Sequence, residues 1–350
     1  MDLDALHDQA RARLPAGVYD YYAGGAEAET TLGESAASWQ RWRLRPRMLR
    51  DVSTVSSQTT LLGTPVSLPI GVAPWALQGM AHPDGERATA RGTAAAGALM
   101  TVSTTATVAL AEVAAASDGP KWFQLYRVHD PAYTDDLVRR AADAGYRALV
   151  MTVDLPLLGR RLRDVVNDFQ LPEGIALANH PPQQQAYGNR GLGRAVGVLP
   201  TSTWTFEDLT HFTALTAMPV VVKGILRGDD AQRCIDAGAS AVWVSTHGGR
   251  QVDPVIASAV ALPEVVGAVG PDVEVYVDGG VRRGSDVLTA LALGARAVFV
   301  GRPAIWGLAA GGADGVRDVL VDLATALQLT MALCGVTDVH DVPADMIAPA

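Results

Sequence analysis

The stretch DAGASAVWVSTHGGRQ, residues 236–251, holds in order a helix end, a glycine, an apolar run and a polar tip. Three other segments share that plan: AAAGALMTVST (94–104), DAGYRALVMTVD (143–154) and ALGARAVFVGR (292–302). Each glycine (Gly97, Gly145, Gly238, Gly294) suits the left-handed residue that closes a helix. Each apolar run lacks polar alternation, as expected of a parallel strand buried on both faces. Four more runs fit the same role: PIGVA (69–73), WFQLY (122–126), PVVVK (219–223) and VEVYV (273–277). Eight parallel strands joined by helical crossovers predict an α/β fold, the closed (β/α)8 barrel.

Outward from the strands, the organisation is that of a single domain over 1–350. Residues 1–65 form an N-terminal extension that opens with an amphipathic helix near 3–13, and 66–335 form the barrel. The long gap after the fourth strand carries a polar, glycine-rich middle at 178–197. A loop of that length in a compact domain is expected to be a lid, placed at 175–200. Apolar residues make up 49% of the 350 and charged residues only 19%, which supports a large core and argues against disorder. The net charge of −9 makes nucleic acid an unsuitable partner. The N-terminus has no apolar signal core, and no run approaches the length of a membrane span. A soluble cytoplasmic protein is the expectation. Cys234 and Cys334 sit in no metal-ligand spacing and read as buried thiols; no metal site is expected.

In barrels of this kind the C-terminal strand ends build the active site. In chain order those ends carry Pro74, Trp75 and Ala76, then Ser103, Gln124 with Tyr126, and Thr152 with Asp154. Arg160 and Arg161 follow closely. Next come Lys223, Ser245 with His247 and Arg250, Asp278-Gly279-Gly280 with Arg282, and Gly301-Arg302. Imidazole takes a proton near neutral pH, and guanidinium holds a carboxylate through two parallel hydrogen bonds. His247 beside Arg250 therefore points to a substrate with a reactive C–H next to an acid group. DGGVRRG (278–284) and GRP (301–303) combine backbone N–H groups, glycines and arginines where barrels frequently bind phosphate. Lys223 reads as a salt-bridge partner, a Schiff-base amine or a cation opposite a ligand that becomes negative. Asp154 reads as a partner of the imidazole, a helix cap or a solvated loop acid. His82, His180 and His211 read as structural, and Tyr21 and Tyr22 as packing aromatics.

Five ordered motifs carry a family resemblance: YDYYAGGA (19–26), FQLY (123–126), TVDxPxxGRR (152–161), SxHGGRQxD (245–253) and DGGVRRGSDVxxALALGA (278–295). Together the chain resembles the FMN-dependent L-2-hydroxy-acid oxidases and dehydrogenases from about residue 5 to about 335. Its GRRLRD run (159–164) is most similar to the 4-hydroxymandelate-oxidising members. The resemblance implies that FMN lies against Pro74, Trp75 and Ala76, with Ser103, Gln124 and Thr152 along its polar edge. Lys223 and Ser245 would also contact the flavin. Asp278, Gly279, Gly280, Arg282, Gly301 and Arg302 would hold the ribityl chain and phosphate. Arg161, Arg250 and Tyr21 would bind the substrate carboxylate, and Tyr126 its hydroxyl. His247 would be the base, with Asp154 behind it. The implied reaction oxidises an (S)-2-hydroxy acid, with O2 as acceptor and a homotetramer as the assembly.

Three positions depart from or refine the pattern. Thr246 replaces the usual asparagine; it is shorter and has no amide N–H, so flavin or histidine positioning could differ. Thr105 stands where glycolate-oxidising members carry an aromatic, which opens space for a bulky or aromatic side chain. Ala76 is alanine, as in several oxidases. The competing readings are a dehydrogenase using a quinone or carrier protein, a flavin barrel acting on an amine or isomerising its substrate, and a non-catalytic phosphate-binding barrel.

Overall fold

The computed structural model describes residues 1–128, 130–181 and 203–350. Eight strands close into a parallel barrel in chain order: β4 (Ile70–Val72), β5 (Met100–Ser103), β6 (Lys121–Leu125), β7 (Leu149–Thr152), β8 (Val220–Ile225), β9 (Ala241–Val244), β10 (Glu274–Asp278) and β11 (Ala297–Val300). The ring shuts where β11 pairs with β4. Each of the eight runs read from sequence became one of these strands. The four glycines named above all stand at positive φ, from 69° to 99°, as a helix-closing residue requires.

Four short strands leave no sign in the sequence. The antiparallel hairpin β2 (Thr59–Leu61) and β3 (Thr64–Val66) precedes the barrel. Strand β1 (Trp42–Leu44) pairs with the C-terminal β12 (Ile347–Pro349). Three residues is too short a run for periodicity to reveal. The expected N-terminal helix is α1 (Leu3–Arg13), capped by the Asp2 side chain; α2 (Ala16–Ala23) and α3 (Thr30–Ala37) follow. Of the expected lid at 175–200, residues 182–200 lie outside the described residues.

Side chains alternate across a strand, so each barrel strand has an inward and an outward set. The outward set, including Phe123, Met151, Val222, Val242 and Val277, packs under the helices. The inward set forms a separate apolar cluster of Trp122, Val150, Val221, Trp243, Tyr276 and Phe299. The hairpin plugs this cluster from below through Leu61 and Val66. Trp243 and Phe299 rings lie 4.0 Å apart. Gly71 faces Phe299 so closely that a Cβ would collide with the ring.

Two residues further along each strand the inward position changes chemistry. Trp122 is followed by Gln124, Val150 by Thr152, Val221 by Lys223, Trp243 by Ser245, Tyr276 by Asp278 and Phe299 by Gly301. An aromatic floor thus carries a polar layer at the C-terminal rim. Because the floor is close-packed, truncating it leaves a cavity. Phe299→Ala should lower unfolding free energy by about 3–5 kcal/mol in urea titrations; a loss under about 1 kcal/mol would mean the floor repacks freely.

Candidate active site

A cleft of about 270 Å³ opens at the rim above the polar layer. Pro74, Trp75, Ala76, Ser103, Thr152, Lys223, Asp278, Gly279, Gly280, Arg282, Gly301 and Arg302 line it, as do Tyr21, Tyr126, Arg161, His247 and Arg250. Gln124, Asp154 and Ser245 stand behind that wall. The strand tips and the N-terminal extension therefore converge on one cavity, as the sequence predicts.

His247 sits on a tight turn, with φ values of 55°, 65° and 72° at His247, Gly248 and Gly249. A left-handed histidine is uncommon and persists only where surrounding contacts fix it. Its Nδ1 lies 2.8 Å from Asp154 Oδ1, its Nε2 lies 3.3 Å from the Tyr126 hydroxyl, and its backbone N–H donates to Ser245 Oγ at 3.0 Å. Of the three readings of Asp154, the structure selects the imidazole partner. Burial lowers the His247 pKa below its ordinary value while Asp154 pulls it up. Burial alone would raise Asp154, but the hydrogen-bonded His247 imidazole and the nearby Lys223 ammonium hold it below the usual carboxylate range. At pH 7 the imidazole is thus neutral, with Nδ1–H directed at Asp154. Gly224, at φ 109°, lies so close to Asp154 that a Cβ would stand 2.6 Å from the aspartate Cβ.

Lys223 is 3% exposed and is an ion-pair partner, one of the three readings left open by sequence. Its Nζ donates to Ser245 Oγ at 2.8 Å and lies 3.4 Å from Asp278 Oδ2. Ser245 Oγ in turn donates to Asp278 Oδ1 at 2.8 Å. One hydroxyl therefore links the lysine, the aspartate and the His247 backbone.

Arg161, Arg250 and Arg302 are each under 10% exposed. Arg250 donates to the carbonyls of Tyr21 and Gly24, and Arg302 to those of Tyr22, Gly24 and Gly248. None forms an ion pair among the described residues. Burial, with Arg161 nearby, pushes the Arg250 pKa down to about 10; burial and Arg250 push Arg302 well below its usual value. Arg282 donates to the Val281 carbonyl.

Several participants were missed or set aside in sequence. Tyr21 does pack, stacking on Phe169 at 5.0 Å, but it also faces the cleft and lies under the Arg250 guanidinium. His180 lines the cleft beside Leu171 and Leu177 rather than lying apart from it. His82 and His211 do not line it. Gln251, quoted in the motif without a role, pins the loop after β7: its Nε2 donates to the carbonyls of Asp154 and Leu157, and its Oε1 accepts from Gly159 N–H. Thr246 is buried, and its hydroxyl has no hydrogen-bond partner among the described residues. His247 is nonetheless held through Asp154 and Ser245. Both cysteines are buried free thiols. No helix among the described residues is long and apolar enough to cross a membrane.

A rim that gathers an imidazole–carboxylate pair, a buried lysine and arginines without acids defines a barrel built to receive anionic ligands. The sequence matches the FMN-dependent dehydrogenase family over residues 10–349. It is 47% identical over 349 residues to L-lactate oxidase of Nostoc sp., covering 95% of this chain and 94% of that one. It is 45% identical over 353 residues to 2-hydroxyacid oxidase 1 of Homo sapiens, covering 99% and 95%. A solved structure of mandelate oxidase with (S)-4-hydroxymandelic acid superposes with a TM-score of 0.94 at 43% identity, covering 99% of this chain and 98% of that chain. The chain belongs to the FMN-dependent dehydrogenase family, among 2-hydroxy-acid oxidases, and FMN is its cofactor.

The residues fit that cofactor. The cleft has an apolar strip at Pro74–Ala76 for a ring. Gln124 Nε2 and Thr152 Oγ1 are buried polar atoms with no partner among the described residues, so they suit a polar-edged ligand. Removing the partner of His247 gives a measurable shift. Asp154→Asn should move the His247 titration to still lower pH in NMR, because the group that raises it is gone. A shift to higher pH would contradict the charge assignment.

Proposed function

We propose that the protein oxidises an (S)-2-hydroxy acid with a bulky or aromatic side chain to the 2-oxo acid, with O2 as acceptor and H2O2 as product. The observation that carries this reading is the 2.8 Å Asp154–His247 contact, with the far imidazole nitrogen beside Tyr126 in a cleft that also holds two arginines without acid partners. Arg161 and Arg250 bind the substrate carboxylate and fix its orientation, with Tyr21 packed against Arg250. Tyr126 holds the substrate hydroxyl by hydrogen bonding. His247 Nε2 takes the hydroxyl proton, and Asp154 steadies the resulting imidazolium.

Bound FMN supplies the acceptor for the electrons and hydrogen that leave carbon. Lys223, aimed by Ser245 and Asp278, keeps a fixed positive charge at the cleft wall, which stabilises negative charge developing there. Pro74, Trp75 and Ala76 offer the ring its apolar face, with Ser103, Gln124 and Thr152 at its edge. Gly279, Gly280, Arg282, Gly301 and Arg302 serve its ribityl phosphate. Arg302 would exchange carbonyl partners for phosphate oxygens.

The side-chain preference follows from the outer cleft. Thr105, Leu155, Leu158, Leu171 and Leu177 line it, leaving an apolar space beyond the imidazole. Oxidase relatives favour O2 over a quinone. We further read 1–350 as one functional unit, cytoplasmic and homotetrameric: the extension at 1–65 supplies Tyr21 and the barrel at 66–335 the remaining groups. Light scattering tests the assembly.

The deciding experiment mixes the flavoprotein anaerobically with glycolate, lactate, mandelate and 4-hydroxymandelate and follows flavin bleaching. Aryl acids should bleach it fastest, and air should then yield peroxide; no bleaching by any acid would overturn the reading. His247→Ala should retain its yellow colour and lose about 10²–10⁴ in turnover; near-normal turnover removes His247 as the base. Thr105→Trp should cut kcat/KM for mandelate by roughly tenfold or more while sparing glycolate, since overpacking such a site costs about 1–3 kcal/mol. Equal losses on both acids would place the side chain elsewhere.

A further inference from the structure

A buried carboxylate lies behind the apolar strip of the cleft, and the reaction proposed above does not use it. Glu86 is fully enclosed in the first turn of α4 (Gly85–Ala95). Its Oε1 accepts the N–H of Gln78 at 3.1 Å and of Thr107 at 3.0 Å, and its Oε2 accepts the Thr107 hydroxyl at 2.6 Å. All three donors are neutral. Burying a charge on neutral donors alone is costly, so the position needs a reason. The start of α4 offsets part of that cost, because a helix N-terminus favours negative charge.

The two segments joined by Glu86 are the turns after β4 and β5. Leu77 in the first turn stands at φ 60°, a left-handed conformation that a leucine keeps only when its neighbours impose it. Its N–H donates to the Thr105 carbonyl at 3.0 Å, and its carbonyl accepts the Tyr22 hydroxyl at 2.6 Å. Gln78 is also fully buried; its Nε2 donates to the Trp75 carbonyl at 3.3 Å, and its Oε1 accepts the Thr89 hydroxyl at 2.5 Å. Gly79 N–H donates to Thr107 Oγ1 at 3.0 Å, so the threonine hydroxyl bridges Gly79 and Glu86. Pro74, Trp75 and Ala76 on one turn, with Ser103 and Thr105 on the other, are the faces these segments present to the cleft.

We propose that Glu86 is a positioning residue for FMN: without touching the cofactor, its carboxylate locks the two turns that form the apolar strip and the adjoining polar edge. Glu86→Gln preserves shape and leaves an oxygen for the backbone N–H groups. It places an amide donor against Thr107 Oγ1, whose proton then has no acceptor there. Loss of such a buried bond should weaken FMN retention by roughly tenfold and change the visible spectrum of the bound flavin. Val265→Ala, a core truncation in the helix Ser258–Val269 between β9 and β10, provides a variant that loses stability in another part of the barrel. It should keep wild-type flavin affinity and spectrum.

Dilution of each holoprotein, with free FMN read by fluorescence, makes the measurement and requires no substrate. Wild-type retention and spectrum in Glu86→Gln would overturn the proposal. So would an equal loss of flavin in Val265→Ala at a matched drop in melting temperature. Should Glu86→Gln not accumulate as folded protein, the near-isosteric Thr107→Val severs the same bridge. Weakened flavin binding in that variant supports the proposal, and unchanged binding overturns it.

Discussion

Three guanidinium groups buried at one rim, with no acid paired to them among the described residues, are the constraint around which this molecule is arranged. A buried cation is expensive unless something compensates it. For Arg250 and Arg302 the compensation comes from backbone carbonyls of Tyr21, Tyr22 and Gly24 in the N-terminal extension and of Gly248 beside the histidine. The extension is therefore clamped across the rim and brings Tyr21 to the cleft wall. The same N-terminal segment reaches the His247 turn directly, through Ala26 N–H to the Gly249 carbonyl at 2.8 Å. Neutral carbonyls accept from Arg250 and Arg302 but do not neutralise their charge. That leaves a cavity whose electrostatics favour anions, although the chain as a whole carries a net charge of −9.

The barrel beneath supplies rigidity. Its inward positions are split into an aromatic floor and a polar rim layer, two residues apart on each strand. Polar side chains that rise from a close-packed floor lose little further entropy when they bind. Ser245 shows how few atoms carry the arrangement. Its hydroxyl accepts from Lys223 and from the His247 backbone while donating to Asp278. The positions of the Lys223 ammonium and of the His247 backbone are thus tied to one hydroxyl. Burial depresses the imidazole pKa and Asp154 partly restores it, so the group stays below its ordinary value.

Much of this was legible because the barrel repeats itself. The glycine before each apolar run marks a helix end, and the run marks a strand. The polar residue after it then falls at the C-terminal rim, whatever its chemistry. That logic placed Lys223, His247 and Asp278 correctly without knowledge of any contact. Contacts between distant segments were harder. Asp154 and His247 are 93 positions apart, and their pairing was one alternative among several until coordinates joined them. The carbonyl partners of Arg250 and Arg302 were invisible, since backbone acceptors leave no residue signature. His180 was set aside because a lone histidine in a polar stretch resembles any surface histidine. The Asn179 side chain, accepting from Leu110 N–H at 2.8 Å, draws its neighbourhood onto the barrel. Glu86 belongs to none of the sequence motifs, and only its burial distinguishes it.

If the buried arginines and the imidazole act together on one bound 2-hydroxy acid, a crystal structure of the FMN-loaded protein with an aryl 2-oxo acid, the expected product, will show it. The carboxylate should lie between Arg161 and Arg250, with the 2-oxygen within hydrogen-bonding distance of both Tyr126 and His247 Nε2. An acid bound with its carboxylate away from both arginines, or its 2-oxygen out of reach of His247, would contradict it.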